Sequence, residues 1–265
     1  AKSNPILQRL RSAKHPLELE IMQKACYITE KAFRRILKHI KPDIWEFELE
    51  AEIMHEFLRN RSRGFAYTPI IASGKNATVL HYIENKNQCK DGDLILFDVG
   101  AEYANYASDM SRTIPVNGKF TTRQKQIYNA VNKVKKEATN LLVPGTDWAA
   151  YHKEVGKMMT SELLDLKLLD KADVQNEDPK WPAYKKYFMH GTSHHIGLDT
   201  HDYGLLYEPM QANQVFTVEP GIYIPEENMG IRLEDDVVIQ ENGEPFNLMR
   251  NIPIEIEEIE EIMNS

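Results

Sequence analysis

Apolar residues recur at helical spacing along the first sixty positions of the chain. Between residues 17 and 40 they stand three or four positions apart, beginning at Leu17, and Pro16 and Pro42 flank the run. This pattern predicts one long amphipathic helix. A second helix is predicted over residues 44–61. Its inward row would consist of Phe47, Ala51, Met54 and Phe57 or Leu58.

Beyond residue 64 the apolar runs become short and extended. Residues 94–99 form an apolar run of strand length, and further strands are predicted at 68–73, 101–106, 109–116, 215–218 and 230–239. Strands spaced this closely along the chain are most simply antiparallel.

A second pair of helices separates the two groups of strands. Thr121 is the expected N-cap of a helix over residues 122–142, and Asp147 caps another that reaches about residue 164. The order of helices, strands, helices and strands predicts an α+β fold in which helices cover a sheet. Each half supplies a helix pair and then strands that carry acids, although the two halves do not match in sequence.

The composition narrows the class of partner and compartment. The 265 residues carry a net charge of −8, which argues against nucleic acid or an anionic membrane as the main partner. No apolar run approaches about 18 residues, so no transmembrane helix is expected. With two cysteines, Cys26 and Cys89, a disulfide framework is not expected, and a reducing cytoplasm is the simpler location.

Histidine is concentrated in one stretch. Four of the nine histidines lie between positions 190 and 201: His190, His194, His195 and His201. Imidazole is the commonest protein metal ligand, and it titrates near neutral pH. A histidine-rich stretch can also be a polar surface loop, so its meaning depends on what faces it.

Four carboxylates stand beside apolar strand residues. Asp98 and Asp109 lie at neighbouring ends of predicted strands, and Glu219 and Glu234 belong to the later pair. Each one alone could equally be a turn or edge residue. Together they would repel one another in a low dielectric, and two divalent cations would neutralise them. Oxygen ligands with one imidazole suit Mn²⁺, Co²⁺, Fe²⁺ or Zn²⁺ and exclude a structural thiolate zinc site. Two such ions are a known arrangement for hydrolysis.

At this point the sequence resembles a known family. The motifs are DVGAEY at 98–103, DMSRT at 109–113, HGTSHHIGLDTHD at 190–202, TVEPGIY at 217–223 and IRLEDD at 231–236. In order and context they resemble the catalytic domain of aminopeptidase P, the Xaa-Pro aminopeptidases, and the similarity extends over nearly the whole chain. The resemblance implies the pita-bread fold, a curved, mostly antiparallel sheet covered by helices in pseudo-two-fold halves.

The resemblance also implies a role for each site residue. The metal ligands would be Asp98, Asp109, His194, Glu219 and Glu234. They would hold two divalent ions, which are usually Mn²⁺ in this family. Asp109 and Glu234 would bridge the two ions, and Glu219 would also transfer the proton of the water between them.

The remaining motif residues would bind the substrate. His81 would lie near the leaving nitrogen, and His201 would bind the scissile or prolyl-side carbonyl and stabilise the oxyanion. His190, Tyr223 and Arg232 would line the proline pocket or the proton path. His195 is interpreted as structural.

The resemblance implies a metalloexopeptidase that releases the residue preceding proline, and it leaves alternatives open. Prolidase, which cuts Xaa-Pro dipeptides, is the closest one, methionine aminopeptidase shares the ligand set, and a non-catalytic pita-bread module would bind without metal. Relatives usually carry an N-terminal domain before this one, so we expect residues 1–265 to be a catalytic domain, as a fragment or a short homologue. We also expect a homodimer or a higher homo-oligomer.

Overall fold

A computed structural model describes residues 4–265. Its α-helices are α1 (Asn4–Ser12), α2 (Pro16–His39), α3 (Glu46–Arg59), α4 (Thr122–Asn140), α5 (Trp148–Asp165), α6 (Lys171–Gln175) and α7 (Ile256–Met263). Its strands are β1 (Gly64–Phe65), β2 (Ile70–Ser73), β3 (Leu94–Val99), β4 (Ala101–Tyr103), β5 (Tyr106–Ala107), β6 (Met110–Pro115), β7 (Val215–Val218), β8 (Gly221–Ile224), β9 (Met229–Arg232), β10 (Asp235–Val238) and β11 (Phe246–Asn247). The predicted α+β class is confirmed. Among these helices, none is long and apolar enough to cross a membrane.

Local capping explains where the main helices begin. The Thr121 hydroxyl accepts the amide of Gln124, and the Gln124 side chain accepts the amide of Thr121, which satisfies two free donors at the start of α4. Asp147 accepts the amide of Ala150 at the start of α5. Both predicted caps are confirmed.

The predicted inward face of α2 is confirmed at Ala25, Ile28, Ala32 and Ile36 but not at its first residue, and that of α3 needs correction. Leu17 is 61% exposed, and on α3 Phe47 is 52% exposed, so neither belongs to the core. The buried row of α3 is instead Glu46, Leu49, Ile53 and Phe57. The row was misjudged because it begins with a carboxylate, which periodicity counts as polar. Glu46 is fully buried, and its carboxylate accepts hydrogen bonds from the Ser73 amide and the Tyr82 hydroxyl. These bonds stabilise Glu46 on the inward face of α3.

The strands form antiparallel sheets in the orders β1-β4-β5, β2-β3-β6 and β11-β10-β7, and β8 pairs with β9. In the central sheet β3 lies between β2 and β6, with Asp98 opposite Ser111. This register brings the acid-bearing end of β3 beside the start of β6.

The prediction of a single strand over residues 230–239 is wrong. The chain forms β9 and β10 with Leu233 and Glu234 between them, and β9 pairs with β8 whereas β10 pairs with β7 and β11. Here the chain passes from one sheet to another. The amide of Glu234 donates to the Ser111 carbonyl at 3.0 Å, which holds the break against β6.

Candidate metal centre and substrate cavity

A cavity of about 510 Å³ opens beside β3, β6 and β9. Its wall includes all five predicted metal ligands, namely Asp98, Asp109, His194, Glu219 and Glu234. They come from five separate motifs of the chain, one ligand from each, so their convergence is a property of the fold.

Asp98 and Asp109 are brought together where the end of β3 pairs with the start of β6, on either side of the β4–β5 hairpin. A side chain at Gly100 would place its Cβ 1.6 Å from the Ser108 carbonyl oxygen, so only glycine allows the two segments to come this close. The Tyr67 hydroxyl lies between the two carboxylates, 2.7 Å from an Asp98 oxygen and 2.5 Å from an Asp109 oxygen.

His194 and Glu219 are aligned by pairing of the histidine stretch with β7. The amide of Thr217 donates to the His194 carbonyl at 3.0 Å, and the amide of Glu219 donates to the Thr192 carbonyl at 2.8 Å. The His194 ring is fixed by its Nδ1, 3.0 Å from the His195 carbonyl oxygen. Because a carbonyl can only accept, Nδ1 carries the hydrogen and Nε2 faces the carboxylates.

The tightest group in the cavity consists of Asp109, His194 and Glu234. One ligand atom from each lies within 4.8 Å of the others, close enough to share a metal ion. His194 Nε2 is 3.5 Å from an Asp109 oxygen and 3.8 Å from a Glu219 oxygen. Asp98 stands at the edge of this group, and one of its oxygens lies 2.6 Å from an Arg232 nitrogen.

The carboxylates are electrostatically frustrated without a cation. Burial raises the pKa of Glu219 to about 7, although His194 and Arg232 oppose the shift. Burial, reinforced by neighbouring carboxylates, raises the pKa of Glu234 well above its usual range. Burial also raises the pKa of Asp98, although Arg232 opposes the shift. Burial alone would lower the pKa of His194, yet Asp109 and then Glu219 raise it to about 9. Asp109 and Glu219 therefore favour positive charge at the position of the His194 ring.

Two further observations show that these residues fit divalent cations. Glu234 Oε1 is buried with no hydrogen-bond partner among the described residues, while Oε2 accepts from the Ser111 hydroxyl at 2.7 Å. The single hydroxyl proton of Tyr67 faces two carboxylates and can serve only one at a time. The donor set is four carboxylates and one imidazole, which suits hard or borderline ions.

The predicted substrate-binding residues lie around the same cavity. His81, His190, His201 and Arg232 line it, and the His201 ring lies 4.4 Å from that of His194. Tyr223 is fully buried behind this wall, where its hydroxyl lies 2.8 Å from both His190 Nε2 and an Arg232 nitrogen. Tyr223 therefore supports two wall residues rather than facing the cavity.

The histidines of the 190–201 stretch are in different chemical states. Burial, and then the charge of Arg232, lowers the pKa of His190 to about 3, so His190 is neutral. His195 is buried, with its ring stacked on Trp148 and 4.3 Å from the Phe216 ring. This packing fits the structural role predicted for His195.

Sequence reasoning missed several residues in the cavity wall, among them Tyr67, Thr200 and the apolar side chains Ile70, Leu80 and Ile83. The one available signal for Tyr67 was its place directly before a predicted strand. That signal does not distinguish a phenol aimed at two carboxylates from an ordinary strand aromatic.

The chain is similar to known peptidases over almost all of its length. The sequence profile of metallopeptidase family M24 matches residues 20–241. Over 98% of the chain, 41% of residues are identical to the Xaa-Pro aminopeptidase of Haemophilus influenzae, of which the chain covers 63%. Human Xaa-Pro aminopeptidase 3 is 35% identical over 97% of the chain, which covers 52% of that protein. The chain thus spans between half and two thirds of these relatives.

Solved structures agree with this similarity. Zinc-substituted E. coli aminopeptidase P in complex with product matches with a TM-score of 0.92 and 38% identity, covering 99% of this chain and 62% of that one. E. coli aminopeptidase P with the inhibitor Pro-Leu matches equally well. The predicted resemblance to aminopeptidase P and the predicted pita-bread fold are confirmed. The chain belongs to metallopeptidase family M24.

Proposed function

We propose that this chain is the catalytic part of an Xaa-Pro aminopeptidase, a hydrolase that releases the first residue of peptides with proline at the second position. The observation that carries the proposal is the convergence of four carboxylates and His194 in one cavity with histidines at its wall. The similarity to named Xaa-Pro aminopeptidases supports the choice of substrate.

Two divalent ions, which we propose to be Mn²⁺, would be held by the five candidate ligands. Asp109 and Glu234 are central to the cluster and would contact both ions, Asp98 would hold one, and His194 and Glu219 the other. When bound, such ions polarise a carbonyl and lower the pKa of a water molecule. The unpartnered Glu234 oxygen and the raised carboxyl pKa values support this assignment.

The other residues would orient the peptide and handle protons. His201, exposed beside His194, would donate a hydrogen bond to the carbonyl of the first residue as negative charge develops there. Glu219 would pass a proton toward the prolyl nitrogen, which leaves poorly without one. His81 would face that nitrogen, and His190 and Arg232, supported by Tyr223, would border the proline ring.

The test compares three substrates with Mn²⁺ added. We expect release of the first residue from an Xaa-Pro-Xaa tripeptide and little cleavage of a Met-Ala peptide. Preference for an Xaa-Pro dipeptide would instead indicate a prolidase. A folded protein that binds no Mn²⁺ and cleaves none of the three would contradict the proposal and favour a binding module.

We further propose a homodimer or a higher homo-oligomer. Tyr203, Leu206 and Tyr207 leave 43%, 49% and 74% of their surface exposed within one short segment, and clustered exposed apolar groups are typical of interaction surfaces. Sedimentation velocity tests this, and a monomer at micromolar concentration would contradict it.

A further inference from the structure

The segment that carries His81 is held in an unusual way. His81 lines the cavity, yet residues 80–85 make no main-chain to main-chain hydrogen bond within the described range 4–265. They belong to neither a helix nor a strand. The position of His81 therefore depends on how neighbouring side chains are anchored.

The anchor nearest to His81 is the next residue, Tyr82. The Tyr82 side chain is buried, and its hydroxyl donates to Glu46 Oε2 at 2.7 Å. The same Glu46 oxygen accepts the amide of Asn87 at 2.8 Å. Burial and this hydrogen bond raise the pKa of Tyr82 to about 12, so the phenol stays a donor at neutral pH.

Glu46 is fully saturated by neutral donors. Its Oε1 accepts the amide and hydroxyl of Ser73, at 2.8 and 2.6 Å, and the side-chain amide of Asn76 at 3.2 Å. No Lys, Arg or His group within residues 4–265 forms an ion pair with it. A buried carboxylate held only by donors is tolerated when every lone pair is used, and its donors become fixed in turn.

From this arrangement we infer that Glu46 and Tyr82 are positioning residues, which hold the irregular segment so that His81 faces the substrate. The inference rests on the proposed function, in which His81 approaches the prolyl nitrogen. Glu46 ties the start of α3 and the end of β2 to Tyr82 and Asn87, which lie on either side of residues 83–86. The start of α3 is thus connected to His81 through the side chains of Glu46 and Tyr82.

A double-mutant cycle tests the inference. Tyr82→Phe keeps the ring in the core and removes two hydrogen bonds, the one that the hydroxyl donates to Glu46 at 2.7 Å and the one that it accepts from the Lys86 amide at 3.3 Å. Ser73→Ala is the matched control, since it removes one hydroxyl from the same carboxylate at its other oxygen, away from His81. Both are made in the wild-type and His81→Ala backgrounds, because Glu46→Gln would set an amide against the Asn87 donor and could prevent folding.

We expect Tyr82→Phe to lower kcat/KM for an Xaa-Pro-Xaa tripeptide by about 3- to 10-fold, the range expected for loss of the hydrogen bond to Glu46. In the His81→Ala background the same change should alter kcat/KM by less than about 2-fold. Ser73→Ala should lower the melting temperature as much as Tyr82→Phe does, with less than about 2-fold effect on kcat/KM. Calorimetric Kd values for the dipeptide Pro-Leu should follow the same pattern.

The possible failures are distinguishable. If Tyr82→Phe reduces activity by the same factor with and without His81, Tyr82 is merely structural and the inference is overturned while the proposed function stands. If Ser73→Ala is as harmful to activity as Tyr82→Phe, general loosening explains both and the inference is again overturned. A folded, Mn²⁺-loaded wild type with no activity on the tripeptide and no affinity for Pro-Leu would overturn both proposals.

Discussion

Replacing Glu234 by glutamine separates ligand loss from structural damage. The side chain keeps its size, and its Oε2 position can still accept from Ser111. Two ionised oxygens 4.8 Å apart, the limit for the Asp109 and Glu234 ligand atoms, repel by about 3.5 kcal/mol at an effective dielectric of 20. Burial and the neighbouring carboxylates raise the pKa of Glu234, which favours its neutral form in the metal-free wild type and reduces this repulsion. Glutamine mimics that neutral acid, so the metal-free stability should change little near pH 7.

The stabilisation by Mn²⁺ should differ much more between Glu234→Gln and the wild type than the metal-free stability does. At a free Mn²⁺ concentration about 100 times Kd, binding stabilises the wild type by about 2.7 kcal/mol, or roughly 5–10 °C in melting temperature for a chain of this size. Loss of a ligand that weakens affinity by about 100-fold leaves only about 0.4 kcal/mol, or about 1 °C.

Thermal unfolding with and without Mn²⁺ measures both effects. Glu102→Gln is the matched control, because Glu102 also has one buried oxygen without a partner within the described residues but lies outside the cavity wall. It should keep the full Mn²⁺ shift. An equal shift in Glu234→Gln and wild type would refute the assignment of Glu234 as a ligand.

Three further substitutions have definite expected outcomes. Glu219→Ala should reduce Xaa-Pro hydrolysis by at least about 100-fold in steady-state assays, since a proton-transfer group and a ligand are both lost, and unchanged activity would remove Glu219 from its role. Gly204→Ala should cost about 2–3 kcal/mol in denaturant unfolding, because its Cβ would lie 1.8 Å from His195 Nε2, whereas Gly191→Ala, with its nearest neighbour at 3.8 Å, should cost far less; equal costs would contradict this. Burial lowers the pKa of His152 to about 4 in the folded protein. As pH falls from about 6.5 to 4, His152 binds a proton in the unfolded chain before it does so in the folded protein, and the free energy of unfolding therefore decreases. His152→Asn should reduce the loss of unfolding free energy between about pH 6.5 and 4 by roughly 2 kcal/mol. An unchanged loss over this range would contradict the burial argument.

The sequence by itself determined much of the local structure and the chemistry of the site. Thr121 and Asp147 cap helices because capping needs only a hydroxyl or carboxylate followed by free amides two or three residues later. Four carboxylates near apolar strands suggested bound cations, and the motifs around positions 98, 109, 194, 219 and 234 indicated a metallopeptidase through their resemblance to aminopeptidase P. Residue type and spacing are sufficient for capping and for recognising a motif, since both are local.

Only the tertiary structure decided which faces and neighbours these residues have. Periodicity assigned the wrong face to α3 because the buried position of Glu46 depends on donors from β2 and from the segment around Tyr82. It also missed the break at Glu234, where the chain changes sheets, and the bridging role of Tyr67. The pattern of apolar residues along the chain predicts only which face of a helix or strand is turned inward. The partner that compensates a buried charge comes from another element, and packing alone brings the two together.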